Sequence, residues 1–283
     1  MKILIIQENG RHEVNKHFRE CFCLQRSLVQ LDNEVDIWGK GHDNENEMPS
    51  FDSYDIIVNL ENYDVTGWLP DLSPYSNPYK FLWSIDAHCR GIDPYVNTFK
   101  SGKYDLILQA TKDFLTEDSV WFPNCYDDSL IGKRESVKKT VDIGFCGSML
   151  NRKELLNGLT CRYNLQQDIW VLGENMVEKI NSYWIHFNIN LANDINYRSF
   201  ETLGCQTLLL TNYNPQYEDL GFVDEENCLM YRDVLDLQRK MEKYLGKHDI
   251  IQTLIDNSKD LASKHTFNER AKTLLEIYHE RKG

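Results

Sequence analysis

Short, nearly continuous apolar runs recur along this chain, and each breaks into a polar cluster. Lys2–Gln7 runs into Glu8-Asn9-Gly10, Asp55–Leu60 into Glu61-Asn62-Tyr63-Asp64, Tyr79–Ile85 into Asp86-Ala87-His88, and Val141–Cys146 into Gly147-Ser148. A strand that is apolar on both faces has to be covered on both, which points to a parallel sheet wrapped by helices. Helical patterns separate the runs: after the first, Phe18, Cys21, Phe22, Leu24, Leu28 and Leu31 recur at three- and four-residue spacing. The predicted fold class is therefore α/β, with ligands gathered at the carboxyl ends of the strands.

Further strands are predicted at Glu34–Trp38, Tyr104–Gln109 and Val120–Phe122, and then at Asp168–Leu172, Trp184–Leu191, Leu208–Leu210 and Glu225–Tyr231. Helices are expected over Met176–Tyr183, Asp233–Leu245, Asp249–Ser263 and Thr266–Glu280. Apolar periodicity stops and charge rises between Asn124 and Thr140, which is where one domain should give way to the next. With 283 residues there is room for two such domains, placed at 1–130 and 131–265, with 266–283 as a closing helix.

Composition excludes several classes. A net charge of −13 disfavours broad attraction to nucleic acid, although Lys133, Arg134, Lys138 and Lys139 could form a local basic groove or a solvated linker. No apolar run approaches the roughly 20 residues that a membrane span needs. Met1 leads straight into Lys2–Gln7 with no room for a signal peptide, so the expected location is the cytoplasm. The eight cysteines form no Cys-x-x-Cys pair, and their apolar surroundings suit reduced, buried thiols rather than zinc ligands.

Four places carry candidate chemistry. The loop Glu8–His12 after the first run, with its single Gly10, reads equally as a turn or a substrate contact. Asp86 and His88, two residues apart at the tip of an apolar strand, pair an acid with an imidazole; the alternative is a capped turn with an exposed histidine. Gly147 and Ser148 turn the chain into a helix beginning near Arg152 and Lys153, and amides at a helix start beside a cation suit a diphosphate. The stretch Asn193–Thr211 passes through Tyr197, Arg198 and Glu201, breaks at Gly204 and ends in Leu208–Leu210. A carboxylate suits a ribose diol and an arginine fork suits phosphate, whereas a plain i,i+3 surface ion pair would contribute a few tenths of a kcal/mol. His186 is expected to pack rather than react. No Gly-x-Gly-x-x-Gly follows the first strand, which counts against a dinucleotide-dependent dehydrogenase.

The segment Tyr197–Gly204 resembles the ribose-binding pattern of group 1 nucleotide-sugar glycosyltransferases, roughly Asn-x-Arg-x-Phe-Glu-x-x-x-x-Gly, and above all their spore-maturation CgeB-like branch and similar enzymes of large tailed phages. The resemblance implies a GT-B architecture, two Rossmann-like domains facing across a cleft, with 266–283 returning to the N-terminal one. It implies Glu201 at the ribose, Arg198 near phosphate, and a sugar-contacting or catalytic role for Asp86 and His88. Where the family commonly has Gly-Arg after the strand, Gly147 is followed by Ser148, so the cation falls to Arg152 or Lys153. Eight residues before Glu201 stands Asn193 rather than a second Glu. The implied reaction is transfer of a sugar from a nucleotide sugar, a UDP-sugar first, with retention of configuration and without a metal or other cofactor. The implied acceptor is a 5-hydroxymethylpyrimidine in phage DNA, which would place the enzyme in the host cytoplasm; a glycan, protein or small molecule is the alternative, as is a non-catalytic nucleotide-binding protein of the same fold. No membrane partner is expected.

Overall fold

The computed structural model describes residues 1–10, 12–61 and 67–282, so the expected cluster members Asn62, Tyr63 and Asp64, and Arg11 of the first loop, lie outside the described residues. The chain divides into two compact units, Met1–Asn124 with Phe267–Gly283, and Cys125–Thr266.

The first unit holds a six-stranded, all-parallel sheet in the order β2-β1-β3-β4-β5-β6. Its strands are β1 (Lys2–Ile6), β2 (Glu34–Trp38), β3 (Ile56–Leu60), β4 (Tyr79–Ser84), β5 (Leu106–Gln109) and β6 (Ser119–Trp121). Every residue of β3 and β5 is buried, as a strand covered on both faces requires. Helix α1 (Glu20–Gln30) lies against β1 and β2. The short α2 (Ala87–Arg90) and α3 (Asp93–Gly102) follow β4. The helical pattern expected from Phe18 starts as a 3-10 turn, Glu13–Phe18, and becomes α-helical only at Glu20.

The second unit has a five-stranded parallel sheet, β11-β10-β9-β7-β8. Its elements run β7 (Val141–Gly147), α4 (Lys153–Tyr163), β8 (Gln166–Ile169), α5 (Gly173–Ser182), β9 (Tyr183–Phe187), α6 (Tyr197–Gly204), β10 (Leu208–Asn212), α7 (Gln216–Asp219), β11 (Leu229–Tyr231), α8 (Val234–Tyr244), α9 (His248–Asn257) and α10 (Lys259–Ser263). In both sheets the first strand lies one place in from an edge, and the chain steps out to that edge before crossing to the other side. That creates a topological switch point, between β1 and β3 in one unit and between β7 and β9 in the other, where the outgoing loops diverge.

The closing helix α11 (Phe267–Lys282) belongs to the first unit and packs on α1, in which both Cys21 and Cys23 are buried, the Cys23 thiol facing the His17 carbonyl at 3.8 Å. Chain entry and exit of the second unit lie side by side: Tyr126 pairs with Thr266, and the Tyr126 amide donates to the His265 carbonyl at 3.1 Å. On the first unit, Arg270 donates to the carbonyls of Pro123 (2.8 Å) and Asn124 (3.5 Å).

Several expectations need correction. The strand foreseen at Asp168–Leu172 is β8, two residues earlier; it is a half-buried edge strand that ends where Trp170 takes a left-handed φ of 58°. Only Leu229–Tyr231 of Glu225–Tyr231 is strand, because Glu225 turns back at φ 63° to meet Cys228, Lys240 and Lys243. Asp249–Ser263 is two helices, divided at Ser258. Two of the eight thiols, Cys89 and Cys161, are exposed. The basic groove does not form as a single cluster. Lys133 pairs with Glu135 and Arg134 with Glu174, while the Lys139 ammonium is drawn inward onto the carbonyls of Asn181 and Tyr183 and the Thr207 hydroxyl. Burial there lowers the Lys139 pKa to about 8.

Candidate functional site

In the second unit the polar side chains converge on the switch point. The chain leaves β7 at Cys146-Gly147, and α6 brings Arg198 and Glu201 to the same place. The Arg198 Nε donates to the Cys146 carbonyl at 3.0 Å, and its Nη1 makes a short ion pair with Glu201 Oε2. This is the i,i+3 pair foreseen in the sequence, but it is not a surface pair: the side chains are 21% and 12% exposed and anchored to a strand end. Burial opposes the charge of Arg198, and Glu201 outweighs it, holding the guanidinium above its ordinary pKa. Among the described residues no hydrogen bond reaches Glu201 Oε1 or Arg198 Nη2. One carboxylate oxygen and one arginine nitrogen thus remain for a ligand.

His186 on β9 holds this arrangement from behind. Its Nε2 accepts the Cys146 amide at 3.2 Å, so Nδ1 carries the proton and donates to Thr202 at 2.6 Å; Thr202 in turn donates to the Arg198 carbonyl. The ring is fully buried, and burial with the nearby Arg198 charge pushes its pKa down to about 3. It is a neutral strut linking β7, β9 and α6.

Gly204 sits at the end of α6, but the left-handed residue is Gln206, at φ 50°. Gly204 instead meets a packing demand, since an added Cβ would lie 2.5 Å from the Tyr126 ring. Gly147 ends β7, where a Cβ would stand 3.1 Å from the Phe145 ring. The Ser148 hydroxyl accepts the Leu150 amide at 3.3 Å. Arg152 occupies the N-cap position of α4 and donates to the carbonyls of Ser148 (3.1 Å) and Ile189 (2.8 Å), so its guanidinium ties two loops of the carboxyl edge together. Lys153, the first residue of α4, is exposed, with no ion pair among the described residues. Tyr197 opens α6 and is half-buried, and the Asn193 carbonyl accepts from Asn214 at 2.7 Å.

Sequence reasoning missed the layer beneath. Asn188 donates to Asn196 and Ser199, both at 3.0 Å, and Asn190 donates to Tyr217 at 2.6 Å, fixing the start of α6. The expected strand Trp184–Leu191 ends at Phe187, before Asn188 and Asn190; two buried asparagines just past an apolar run are the signal in the sequence that the strand stops there.

In the first unit β4 delivers Asp86 and His88 to its carboxyl end. Asp86 takes the N-cap position of α2, and its carbonyl accepts from Cys89 (2.9 Å) and Arg90 (3.2 Å), but its side chain makes no capping bond. Asp86 and His88 are both half-buried. Burial raises the Asp86 pKa, with His88 and Arg90 pulling the other way, and burial lowers that of His88 against the attraction of Asp86. Both groups are thereby moved toward their neutral forms, the condition in which acid and base can exchange a proton.

Among the described residues no three His, Cys, Asp or Glu side chains are grouped as a metal site, and no helix is long and apolar enough to cross a membrane.

Residues 136–276 match a family model described as glycosyl transferase-like. No curated protein matches the chain. Solved structures similar to it over nearly its whole length include sucrose-phosphate synthase from Thermosynechococcus elongatus, 12% identical, covering 99% of this chain and 98% of that one at a TM-score of 0.68. The Anabaena protein HepE in complex with UDP and glucose is 10% identical, with 98% and 100% coverage and a TM-score of 0.65. An alpha-glucosyltransferase in complex with UDP and a 13-mer DNA containing a HMU base is 9% identical, with 99% coverage of both chains and a TM-score of 0.66. The fold, two parallel-sheet α/β units, is the GT-B fold.

Proposed function

We propose that this glycosyltransferase moves a hexosyl or pentosyl group from a nucleotide-sugar donor, a UDP-sugar, to an acceptor hydroxyl. The observation that carries the reading is the Arg198–Glu201 pair at the β7–β9 switch point, with one oxygen and one nitrogen left to a ligand. Glu201 accepts the ribose hydroxyls with Tyr197 beside it, and Arg198 faces phosphate. The amides at Gly147 and Ser148 and the exposed ammonium of Lys153 receive the diphosphate, while Arg152 holds the loops that frame it. Pre-aimed donors of this kind stabilise a departing diphosphate without a metal. Asp86 and His88 of the first unit take the sugar-contacting and proton-handling roles. Complexes of similar structures with UDP support the choice of donor.

Retention of configuration, kinship with the CgeB-like and tailed-phage enzymes, action in the cytoplasm and a 5-hydroxymethylpyrimidine acceptor in DNA complete the proposal. The DNA complex of a structural neighbour supports the acceptor. A glycan, protein or small-molecule acceptor is the second reading, favoured by the net charge of −13 and by the dispersal of Lys133, Arg134 and Lys139 into separate contacts.

The test has two steps. UDP-glucose and other nucleotide sugars are screened for thermal stabilisation, which a bound donor produces by mass action. The stabilising donor, radiolabelled and with EDTA present, is then offered hydroxymethylated DNA, unmodified DNA and cell-wall glycans. UDP release with label in hydroxymethylated DNA is expected. Label confined to glycans ends the DNA reading, and loss of all turnover in EDTA ends the metal-independent one.

A further inference from the structure

A carboxylate with no role in the scheme above lies under the reacting end of the first unit. Glu61 follows β3 at a left-handed φ of 51°, uncommon for a residue with a side chain, and its side chain is only 6% exposed. Four donors surround it. Oε2 accepts the amides of Ile85 (2.6 Å) and Asp86 (3.1 Å), Oε1 accepts the Tyr95 hydroxyl of α3 in a short bond, and the Arg90 Nε of α2 stands 3.7 Å away. The Glu61 amide donates to the Trp83 carbonyl at 2.9 Å, so main chain and side chain together grip the last turn of β4.

The gripped peptide bears Asp86 and lies two residues before His88. A displacement of that peptide moves the carboxylate relative to the imidazole, and proton transfer is sensitive to shifts of about 1 Å. A neutral acceptor would satisfy the same amides without burying a charge. Burial and the charge of Asp86 push the Glu61 pKa up to about 7, so the fold keeps an acid here against its own electrostatic preference. The other charged and titratable groups that bear on the pair are His88 and Arg90 on α2, Tyr95 on α3 and Glu20 on α1.

We propose that Glu61 is a positioning residue: by clamping the amides of Ile85 and Asp86 it sets the distance and orientation between Asp86 and His88. Its consequence for catalysis rests on the proposed roles of those two residues, whereas the clamp itself is measurable without turnover.

The experiment follows the His88 imidazole by NMR titration in the full chain, assigned with His88→Gln, in the wild type, Glu61→Ala, Glu61→Gln and Asp86→Asn. Glu61→Ala should move the His88 midpoint by at least about half a pH unit, toward the Asp86→Asn value, because the carboxylate that raises it is no longer held in place. Glu61→Gln, which keeps an acceptor oxygen for both amides, should restore the wild-type midpoint. An unmoved midpoint in Glu61→Ala overturns the proposal, and so does an equal shift in the glutamine and alanine variants, which would make the effect one of charge alone. Should Glu61→Ala not fold, Glu61→Asp substitutes for it: its shorter stem withdraws the carboxylate from the amides while keeping the charge, and an unchanged midpoint there is equally fatal. Absence of donor binding would defeat the transferase reading and leave this outcome standing.

Discussion

The two units present charged side chains at equivalent sheet edges and treat them in opposite ways. At the switch point of the second unit the charges are held in place. Arg198 and Glu201 neutralise each other, and His186 is held neutral with its pKa at about 3. In the first unit the three groups at the edge are all displaced toward a change of state: Glu61 up to about 7, Asp86 upward, His88 downward. An edge with locked charges offers a constant field, suited to holding an anion. An edge where burial favours the neutral forms of acid and base alike, and where Glu61 is pushed up to about 7, is suited to moving protons. The contrast gives each unit a distinct signature in pH and mutation.

The largest expected effect is on the acid side and belongs to the second unit. His186 has an ordinary pKa of 6.5 and a native one of about 3, so the unfolded chain takes up its proton first as the pH falls. The associated stability is complete above pH 6.5 and is lost toward pH 3, on the order of 5 kcal/mol in all. Urea melts of His186→Phe across that range should show a lower plateau and a flatter acid limb. An unchanged slope would mean that His186 is not held neutral.

Next comes Arg198→Ala, which strands a buried carboxylate at Glu201 and should cost roughly 4 kcal/mol by denaturant melt. A loss below about 1 kcal/mol would reduce the pair to a surface contact and remove the contrast between the units. Smaller, and opposite in sign with pH, is the effect of Glu61. With an ordinary pKa of 4.5 and a native one of about 7, its contribution is complete below pH 4.5 and fades as the pH rises through 7, about 3 kcal/mol in all. Glu61→Gln should be the more stable protein at pH 8 and lose its advantage by pH 5. The mildest change is Gly204→Ala, whose new methyl meets the Tyr126 ring; a cost of about 2 kcal/mol, relieved by pairing it with Tyr126→Leu, is expected in thermal melts.

Much of this frame is legible in the residues. Runs such as Ile56–Leu60 and Leu208–Leu210 are buried on both faces and could hardly be anything but parallel strands. The edge strand β8 is less legible, because Gln166–Ile169 is half-buried throughout and carries little apolar signal. At the candidate site, Arg198, Glu201, Asp86 and His88 stand out locally, as charges that interrupt apolar segments. Their partners do not. The Cys146 carbonyl reaches Arg198 across 52 positions, and Glu61 reaches Ile85 across 24, through strand neighbours that no local pattern announces. Nor does a sequence distinguish Gly204 as a space for Tyr126 from Gly204 as a turn.

The pairing of Tyr126 with Thr266 has a further consequence. A segment that enters and leaves through neighbouring backbone positions is, topologically, a cassette inserted into a host, and the host here has its own matching seam, where Arg270 holds Pro123 and Asn124. Joining residue 124 to residue 267 by a short turn should leave a contiguous first unit, and residues 125–266 could be cyclised head to tail with a linker of a few residues.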